Sequence, residues 1–486
     1  MLRKRNTFQE RYSRFLQELR EEIISGELAP GEFILPENTL SAKYNISRVS
    51  LRKALAELVD EGLIEKIAGK GNRVTIPEAA QATVTLRLAW FSPSYEIDIV
   101  RRILERFEKQ HPFVRVELIL LPVEGYTSTL IRLMEQGRGP DVFMMSDTHV
   151  RDWIDSGRSD YVSGYVPGHL SPDGTSYPPV FEIFAHGDRT LAAPFIFSPV
   201  MICYNRALFR ECGLPEDTRL ETWEELLHAA KQCTRDLNDD GIIEQYGFCF
   251  SSSPNRWPVF LLQNGGQFMT DDRSRSTLSR KENIEALEFC TSLMYKHSVS
   301  PIYSHGSSHL AESLFKKERV AMILTTYYFM NEFREHSIEW DVLPVTKRSR
   351  EATLLLGGGL AVNSRSEHGK AARKLVDYMT SVEAQTLLKQ YGCTIPALRS
   401  VAEDDSLLDP AIHPEHYQRF LEVLPYARPL HSLQLRQREI LLLADELTLL
   451  WASMESPREA CQRIEAKLNR LLKDQPPGND SKGLSQ

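Results

Sequence analysis

Polar side chains cluster at the start of one short helical segment, and their chemistry suits contact with nucleic acid. Arg48, Ser50, Arg52 and Lys53 lie off the apolar face of that segment. An arginine guanidinium can bind the edge of guanine through two hydrogen bonds, whereas lysine and serine side chains more often contact phosphates. A helix that reads DNA enters the major groove with its N-terminal residues nearest the bases. Isolated arginines more often lie on a solvated helix face, so the surrounding elements decide between these interpretations.

The residues after this helix predict a second contact with DNA. Two short alternating segments, LIEKI and RVTI, flank a Gly-Lys-Gly turn and are typical of two strands joined at a tight tip. Lys70 lies at that tip between Gly69 and Gly71. There its ammonium group would reach a minor groove or the phosphate backbone.

Apolar residues at helical spacing predict three helices that position these side chains. The first spans about residues 8–25, the second surrounds Leu40 to Tyr44, and the third follows Ser47, a suitable N-cap. Asn45 suits the turn between the second and third helices because asparagine tolerates positive φ. Residues 1–77 therefore predict an α+β winged helix-turn-helix domain.

The motifs LPEN, SRVSLRKAL, EGLIEK and GKGNRV resemble, in order and spacing, the N-terminal DNA-binding domain of GntR-type bacterial regulators. The resemblance implies a homodimer on a double-stranded, pseudo-palindromic DNA operator. It also implies that Arg48 and Arg52 contact DNA from the recognition helix, and that Gly69, Lys70 and Gly71 contact DNA from the wing.

Asn38 marks a departure from that family. The family usually has Leu-Pro-Ser-Glu-Arg ahead of the second helix, and its arginine often contacts a phosphate. Here Ile34-Leu35-Pro36-Glu37-Asn38 fills the corresponding positions. Either Asn38 contacts DNA through a hydrogen bond, or the missing affinity comes from other residues.

After residue 83 the chain alternates between strands and helices, which predicts a parallel α/β sheet. The strand TLRLAWF precedes a helix at about 98–110, the strand VRVELILL, a helix at about 127–136 and the strand PDVFMM. Parallel sheets bind ligands beyond the carboxyl ends of their strands. Ser92, Ser94 and Tyr95 follow the first strand, and Ser146 and Asp147 follow a later one. The pattern therefore predicts a ligand crevice at these residues.

Nearly the whole of this region resembles the bilobal, type 2 periplasmic-binding-protein-like domains of the maltose-binding type, which deliver sugars to membrane transporters. Matching segments include GRGPDVF, LAAPFIFSPVMICYN, TWEELLHAAKQC, WPVFLLQNGG and GGGLAVNS. Small and polar residues at 78–83 predict a linker, and the composition of 476–486 predicts a disordered tail. The resemblance implies a sensor domain at 84–475. It places lobe 1 at about 84–193 and 320–353, and lobe 2 at about 199–315 and 357–475.

The resemblance also implies a set of solute contacts in the sensor domain. They are Ser92, Ser94, Tyr95, Asp147, Phe197, Ser198, Asn255, Trp257, Tyr327, Tyr328 and Gly358. Aromatic faces stack on sugar rings, while carboxylate, amide and hydroxyl groups pair with sugar hydroxyls, so we expect a carbohydrate effector. Core packing is the alternative role for Phe197 and Trp257. Tyr327 and Tyr328 stand where the maltose type often has tryptophan, which leaves the sugar preference open.

Composition and charge indicate the cellular context. The 486 residues are 42% hydrophobic and 26% charged, which is typical of a soluble globular protein of two to four domains. Residues 1–77 hold 13 Lys/Arg and 11 Asp/Glu, whereas the remainder holds 45 and 55, so the acidic part would repel DNA. The chain has no apolar run of membrane-spanning length, and its basic N-terminus lacks the apolar segment of a secretory signal. We therefore expect a cytoplasmic protein that does not contact the membrane.

The sequence offers little evidence of metal binding or catalysis. Residues 236–241, DLNDDG, resemble the first half of an EF-hand loop, but position twelve is Gly247 where a bidentate glutamate is expected. We interpret the segment as a metal-free turn, with a calcium site as the alternative. Thirteen histidines are dispersed, and no CxxC, GxSxG, Walker A or GxGxxG motif occurs. We predict no metal, no cofactor and no catalytic residue.

These patterns favour a transcriptional regulator whose DNA affinity responds to a sugar or oligosaccharide bound between two lobes. A transport-associated solute-binding protein with an incidental N-terminal module is the first alternative, and it requires export. An enzyme fused to a DNA-binding module is the second, and it requires a set of catalytic groups.

Overall fold

A computed structural model of the chain describes residues 2–75, 84–215, 218–302, 310–333 and 338–473. The predicted linker at 78–83 and the predicted tail at 476–486 lie outside these ranges. The chain forms two compact units. The first comprises Met1–Met144, Asp160–Pro167 and Leu360–Ser381, and the second comprises Met145–Ser159, Gly168–Gly359 and Val382–Gln486.

The first unit begins with the predicted winged helix-turn-helix. Its elements are α1 (Leu2–Ile24), α2 (Glu37–Tyr44), α3 (Arg48–Asp60), β1 (Ile64–Ile67) and β2 (Gly71–Val74). The Ser47 hydroxyl accepts a hydrogen bond from Ser50 N at 3.2 Å, which confirms the predicted N-cap. Asn45 has a φ of 51°, which confirms the predicted turn between α2 and α3.

Buried apolar side chains from all three helices form the core of this domain. They are Phe15, Leu19, Ile23, Leu40, Tyr44, Leu51, Leu55 and Leu58. Phe15 and Tyr44 pack edge to face with ring centroids 4.9 Å apart. Each such side chain contributes roughly 1.5–3 kcal/mol when it is removed from water, so the core fixes the direction in which α3 projects.

The remaining elements alternate between strands and helices along much of the chain. In chain order they are β3 (Val84–Ser92), α4 (Ile97–Gln110), β4 (Val114–Pro122), α5 (Tyr126–Glu135), β5 (Val142–Ser146), α6 (Asp147–Ser156), α7 (Pro178–Glu182), β6 (Ala185–His186), β7 (Arg189–Thr190), β8 (Ala193–Asn205), α8 (Arg206–Glu211), α9 (Trp223–Cys233), β9 (Tyr246–Phe250), α10 (Pro258–Gln263), α11 (Lys281–Tyr295), α12 (Leu310–Lys316), β10 (Val320–Thr326), β11 (Trp340–Val342), β12 (Thr353–Val362), α13 (Gly369–Met379), α14 (Val382–Tyr391), β13 (Ile395–Pro396), α15 (Arg399–Ala402), α16 (Arg419–Glu422), β14 (Ala427–Pro429), α17 (Gln437–Glu446), α18 (Thr448–Trp451) and α19 (Pro457–Lys473).

The rest of the first unit is built on a parallel sheet with the strand order β4-β3-β5. β3 pairs with β4 from Val84 opposite Val114 to Ser92 opposite Pro122. Helix α4 buries one apolar face that includes Ile103 and Phe107. The predicted alternation of strands and helices is confirmed over this region.

The second unit has a sheet with the strand order β12-β8-β10-β9. β8 is antiparallel to β10, β11 and β13, whereas β10 is parallel to β9. All 13 residues of β8 are buried, so its apolar run has no alternating polar face. Helices α9, α10, α11 and α19 contribute to a continuous hydrophobic core that contains Trp223, Phe250, Trp257 and Trp451.

The compact units differ from the two predicted lobes at four places. Residues 145–159 and 168–193, expected in lobe 1, fall in the second unit. Residues 320–353, expected in lobe 1, fall in the second unit, where β10 is hydrogen-bonded between β8 and β9. Residues 360–381, expected in lobe 2, fall in the first unit, where α13 packs against α1 and α4. These pairings join segments that are distant in sequence, and the segment resemblances did not specify them.

None of the helices in the described part of the chain is long and apolar enough to cross a membrane.

Candidate functional site

The predicted recognition helix presents its polar N-terminal residues to solvent. Arg48, Arg52 and Lys53 are exposed, and the Ser50 hydroxyl lies 2.8 Å from the Ser47 hydroxyl. The opposite face of α3 is buried in the core of the winged domain. The helix therefore offers the side chains for which the sequence predicted DNA contacts, although their contacts with DNA remain predictions.

An ion pair holds one of these cations beside the second helix. Arg52 Nε donates to Glu37 Oε2 at 2.8 Å. Asn38, the next residue along α2, is exposed and open to hydrogen bonding with a phosphate. Because an exposed ion pair contributes at most about 1 kcal/mol, DNA could displace Glu37 from Arg52 at little cost.

The wing has the backbone that its glycines predict. Gly69 has a φ of 74° and Gly71 has a φ of 109°, both in the left-handed region that glycine tolerates best. Ile67 pairs with Gly71 across the antiparallel β1–β2 ladder, and Lys70 is exposed at the turn. The ammonium group of Lys70 is therefore available to a phosphate.

Val49 is a potential base contact that charge-based reasoning missed. It is the second residue of α3, and 80% of its surface is exposed. Apolar side chains in the major groove contact the methyl group of thymine. An aliphatic residue next to Arg48 and off the buried face was the signal in the sequence that could have identified it.

The solute contacts predicted in the first unit lie after β3. Ser92, Ser94 and Tyr95 are half-buried. The Ser94 hydroxyl accepts a hydrogen bond from Trp90 Nε1 at 3.0 Å and donates to Glu96 Oε2. Ser94 therefore already has two partners within the protein.

Phe197, Ser198, Trp257 and Tyr327 lie in the interior of the second unit. Trp257 is 1% exposed and packs edge to face against Phe268 and Trp451, with centroids 5.7 and 5.9 Å away. The Ser198 hydroxyl accepts from Tyr327 N at 2.9 Å and donates to Pro199 O. We attribute these side chains to packing and to backbone hydrogen bonding rather than to solute binding.

Tyr327 shows that a position at the end of a strand does not by itself indicate a solute contact. Its ring packs beside Phe420 with a centroid distance of 4.6 Å, and its hydroxyl lies 2.5 Å from His413 Nδ1. Burial raises its pKa, so the phenol is neutral. The neighbouring Tyr328 is half-buried, as is Asn255, whose Oδ1 accepts from the Ser253 hydroxyl at 2.7 Å. Tyr328 and Asn255 remain candidate solute contacts.

Asp147 begins α6 in the second unit, and its surroundings are electrostatically unusual. Asp147 Oδ1 accepts a long hydrogen bond of 3.4 Å from Gly357 N, beside the predicted contact Gly358. Burial raises the pKa of Asp147 to about 6, while the Gly357 N–H and the nearby Arg151 and Arg256 act in the opposite direction. Although the residue is half-buried, Oδ2 is inaccessible and has no hydrogen-bond partner among the described residues.

Sequence patterns did not identify two buried arginines that lie near Asp147. Arg151 is 6% exposed and Arg256 is 4% exposed. The Arg256 guanidinium donates to Asn255 O at 3.0 Å and lies over the Phe329 ring at 5.5 Å. The i, i+4 spacing of Asp147 and Arg151 was visible in the sequence, but it is also typical of ordinary exposed helix pairs.

The loop that resembles half of an EF-hand brings three carboxylates together. Ligand oxygens of Asp236, Asp240 and Glu244 lie within 4.8 Å of one another. Asp236 Oδ2 accepts from Gly241 N at 2.7 Å, and Glu244 Oε2 accepts from Leu237 N at 2.7 Å. Backbone amides therefore already bind these oxygens.

We predict that calcium does not stabilise this loop. A glutamate cannot occupy position twelve, because even a Cβ on Gly247 would lie 1.8 Å from Ala230 O. The melting temperature of the full chain should be the same with millimolar calcium and with a chelator. A higher melting temperature in the presence of calcium, if Asp240→Asn abolished it, would contradict this prediction.

Comparisons with known proteins match both parts of the chain. A family model described as "Bacterial extracellular solute-binding protein" matches residues 94–386, and one described as "Bacterial regulatory proteins, gntR family" matches residues 11–74. The arabinooligosaccharide-binding protein of Halalkalibacterium halodurans is 22% identical over 308 residues, which cover 60% of this chain and 66% of that protein. The mannosyl-D-glycerate transport/metabolism system repressor of Escherichia coli is 38% identical over 63 residues, which cover 13% of this chain and 26% of that protein.

Solved structures agree on the fold. An ABC substrate-binding protein from Listeria monocytogenes, in complex with cycloalternan, has a TM-score of 0.68 and 21% identity. That similarity covers 81% of this chain and 100% of the other. The comparisons confirm the predicted fold class, a winged helix-turn-helix followed by an α/β solute-binding domain of the maltose type. The matched families contain regulators and solute-binding proteins rather than enzymes.

Proposed function

Because the chain belongs to the family of bacterial extracellular solute-binding proteins and also carries a gntR-family domain, we propose that it is a solute-responsive transcriptional regulator. The N-terminal domain binds a double-stranded operator as part of a homodimer in the cytoplasm. The solute-binding domain takes a sugar or oligosaccharide, and occupation of that domain changes operator affinity. The proposal includes no catalytic step.

The observation that carries this proposal is the packing of the DNA-binding domain on part of the solute-binding domain within one compact unit. Helix α1 contacts α13, and Lys370 Nζ lies 3.7 Å from Glu21 Oε2. A cavity of about 560 Å³ adjoins this contact, lined by α1 residues such as Gln17 and Ile24 and by α13 residues such as Ala371. A change in the position of α13 would therefore directly alter its contacts with α1.

A second contact joins the residues just after α1 to the end of α4. Gly26, with a φ of 78°, sits so close to His111 that a Cβ there would lie 2.9 Å from the imidazole Nδ1. The His111 ring packs on Phe107 at 4.5 Å, and Phe107 packs on Tyr378 of α13 at 5.5 Å. Burial lowers the pKa of His111 to about 4, so the imidazole is neutral at pH 7. The contact therefore depends on shape and not on charge.

A solute can move operator affinity only as far as it discriminates between two states of the protein. Typical coupling free energies of about 1–3 kcal/mol correspond to changes of roughly 5- to 150-fold in affinity. By reciprocity, operator DNA must change the affinity for the solute by the same factor. This reciprocity separates a sensor from a protein in which the two domains merely share a chain.

Operator binding in the presence of a sugar panel tests the proposal. DNA fragments selected by the full chain would be titrated with and without each sugar, and at least one sugar should change the dissociation constant about fivefold or more. Lys370→Glu, which places two acids opposite each other, should reduce that change while leaving sugar binding intact. Arg138 is exposed on the loop after α5, so Arg138→Glu provides a charge-matched comparison.

One outcome would contradict the regulatory proposal, and a second would contradict only the route of coupling through α13. In the first, sugars bind but none of them alters operator affinity in the wild-type protein. In the second, Lys370→Glu keeps the full response to sugar, as Arg138→Glu does, which would remove α13 as the route of coupling.

A transport-associated binding protein is the second candidate, favoured by the description of the matched family and by the arabinooligosaccharide-binding relative. Cell fractionation distinguishes it from a regulator. Recovery of the intact chain outside the cytoplasmic membrane, without enrichment of any DNA fragment, would favour transport.

A further inference from the structure

The guanidinium of Arg151 is buried in the second unit, and the part of the chain that the structure describes offers it no hydrogen-bond partner. Its Nε, Nη1 and Nη2 are all inaccessible, and none of them has a hydrogen-bond acceptor among the described residues. A guanidinium stays charged in proteins, and it carries five N–H donors in a fixed plane. A buried charge is normally compensated by an opposite charge and by hydrogen bonds, so a missing partner calls for a ligand.

The acidic residues of its own helix do not supply that partner. Asp147, Asp152 and Asp155 all act on Arg151 electrostatically, yet none of the three forms an ion pair with it. Asp155 Oδ2 instead accepts a hydrogen bond from Gln437 N at 3.0 Å, at the start of α17. The carboxylates on α6 are therefore near Arg151 but not in contact with it.

A nearby arginine provides the contrast. Arg273 Nη2 contacts both oxygens of the Glu439 carboxylate at 2.9 Å, and Glu439 is fully buried. This pair shows how the same unit neutralises an arginine when the charge serves packing. Arg151 lacks an equivalent glutamate, although it is more deeply buried than Arg273.

Two buried cations lie close enough to Asp147 to oppose the rise in its pKa that burial causes. They are Arg151 and Arg256, and the Arg256 guanidinium also donates to Asn255 O at 3.0 Å. Asp147 Oδ2 has no hydrogen-bond partner among the described residues, so it can accept a hydrogen bond from a ligand. An anionic group beside Arg151 would supply the acceptors that the described residues do not provide.

We infer that the solute is an anionic carbohydrate, whose carboxylate or phosphate group pairs with Arg151 while Asp147 binds its hydroxyl groups. Carboxylates and phosphates match the planar fork of a guanidinium through two parallel hydrogen bonds. The inference rests on the proposed function, because it names the solute class for the same sensor domain.

Matched pairs of sugars test this inference on the full chain by thermal shift and calorimetry, without DNA. The pairs are D-glucuronate with D-glucose, D-galacturonate with D-galactose, and D-glucose 6-phosphate with D-glucose. In at least one pair the anionic member should bind about tenfold or more tightly than the neutral one, as expected for charge-assisted hydrogen bonds. The uronate and phosphate arms identify which anionic group the site takes.

Variants assign the preference to Arg151. Arg151→Met, which keeps the length of the side chain, should abolish the preference for the acid, whereas Arg138→Met removes an exposed arginine and should retain it. If Arg151→Met does not fold, Asp147→Asn is the second variant. It removes a competing negative charge, so it should increase the ratio of acid to neutral affinity.

The outcomes separate this inference from the proposed function. Equal binding of acid and neutral sugar, or a preference that survives Arg151→Met, overturns the inference alone. An unchanged ratio in Asp147→Asn also overturns it. If no sugar of either kind binds, the inference fails together with carbohydrate sensing, whereas failure of a bound acid to alter operator affinity overturns only the regulatory proposal.

Discussion

Replacing Arg48 and Arg52 together with alanine is expected to lower operator affinity about 100-fold or more, with little change in folding stability. Each bidentate arginine–guanine contact contributes about 1–3 kcal/mol of discrimination, and 1.4 kcal/mol corresponds to a factor of ten. Both side chains are exposed and lie outside the core of the winged domain, so the free energy of unfolding should not depend on them. Fluorescence anisotropy with the selected operator, at fixed salt concentration, measures the loss.

Two controls separate base recognition from general attraction to DNA. Arg14 lies on α1 with 63% of its side chain exposed, so Arg14→Ala removes one charge from the same domain and should change affinity little. Lys53→Ala should weaken operator and unrelated DNA alike, because a lysine contact with phosphate carries no sequence information. If the double variant binds the operator as tightly as the wild type, α3 is not the recognition helix.

Glu37→Gln should strengthen binding if the Arg52–Glu37 ion pair competes with DNA.

The winged domain could be predicted in detail because its signals are local. The N-cap at Ser47 depends on a hydroxyl within one helical turn, and the turn at Asn45 depends on a φ that few residue types adopt. Gly69 and Gly71 fix the wing for the same reason. None of these features requires knowledge of a residue distant in sequence. The boundaries still shifted, since α1 extends to Leu2 and β2 ends at Val74.

The solute contacts could not be predicted equally well, because core and site use the same residue types. Aromatic residues stack on sugar rings, but they also fill interiors, and Trp257 contacts Phe268 and Trp451. Phe197 lies on β8, where every residue is buried and no alternation of polar and apolar residues indicates a free face. The distinction depends on which distant segment covers each ring, and one sequence without homologues does not contain it.

Arg151 is the opposite case, a buried residue whose sequence context predicts exposure. Its sequence context, with Asp147 and Asp155 one turn away on either side, is that of an exposed helix with alternating charges. Only the packing of α6 against α17 and the residues at 430–433 explains why it is buried. The sequence therefore identified Asp147 as a candidate and missed the buried cation that lies one helical turn away.

Gly247→Ala is expected to be the most destabilising small substitution in the solute-binding domain. Gly247 lies in β9 where this strand crosses α9, and a Cβ there would lie 1.8 Å from Ala230 O and 2.4 Å from Ala230 C. Backbone atoms cannot rotate away as a side chain can, so either β9 or α9 must move. Overpacking typically costs about 1–3 kcal/mol, and we expect at least about 3 kcal/mol here because the obstruction is backbone. The melting temperature should fall by about 4 °C or more.

Thr234 adds to this constraint. Its hydroxyl accepts a hydrogen bond from Gly247 N at 3.0 Å and donates one to Ala230 O at 2.7 Å, so the same atoms that a methyl group would displace hold α9 to β9. Gly168→Ala is the matched control, since nothing lies within 4 Å of a Cβ at that position. If the Gly247→Ala and Gly168→Ala proteins had the same melting temperature, β9 and α9 would have to lie farther apart than this packing requires. It would also remove the steric reason why position twelve of the acidic loop cannot carry a calcium-binding glutamate.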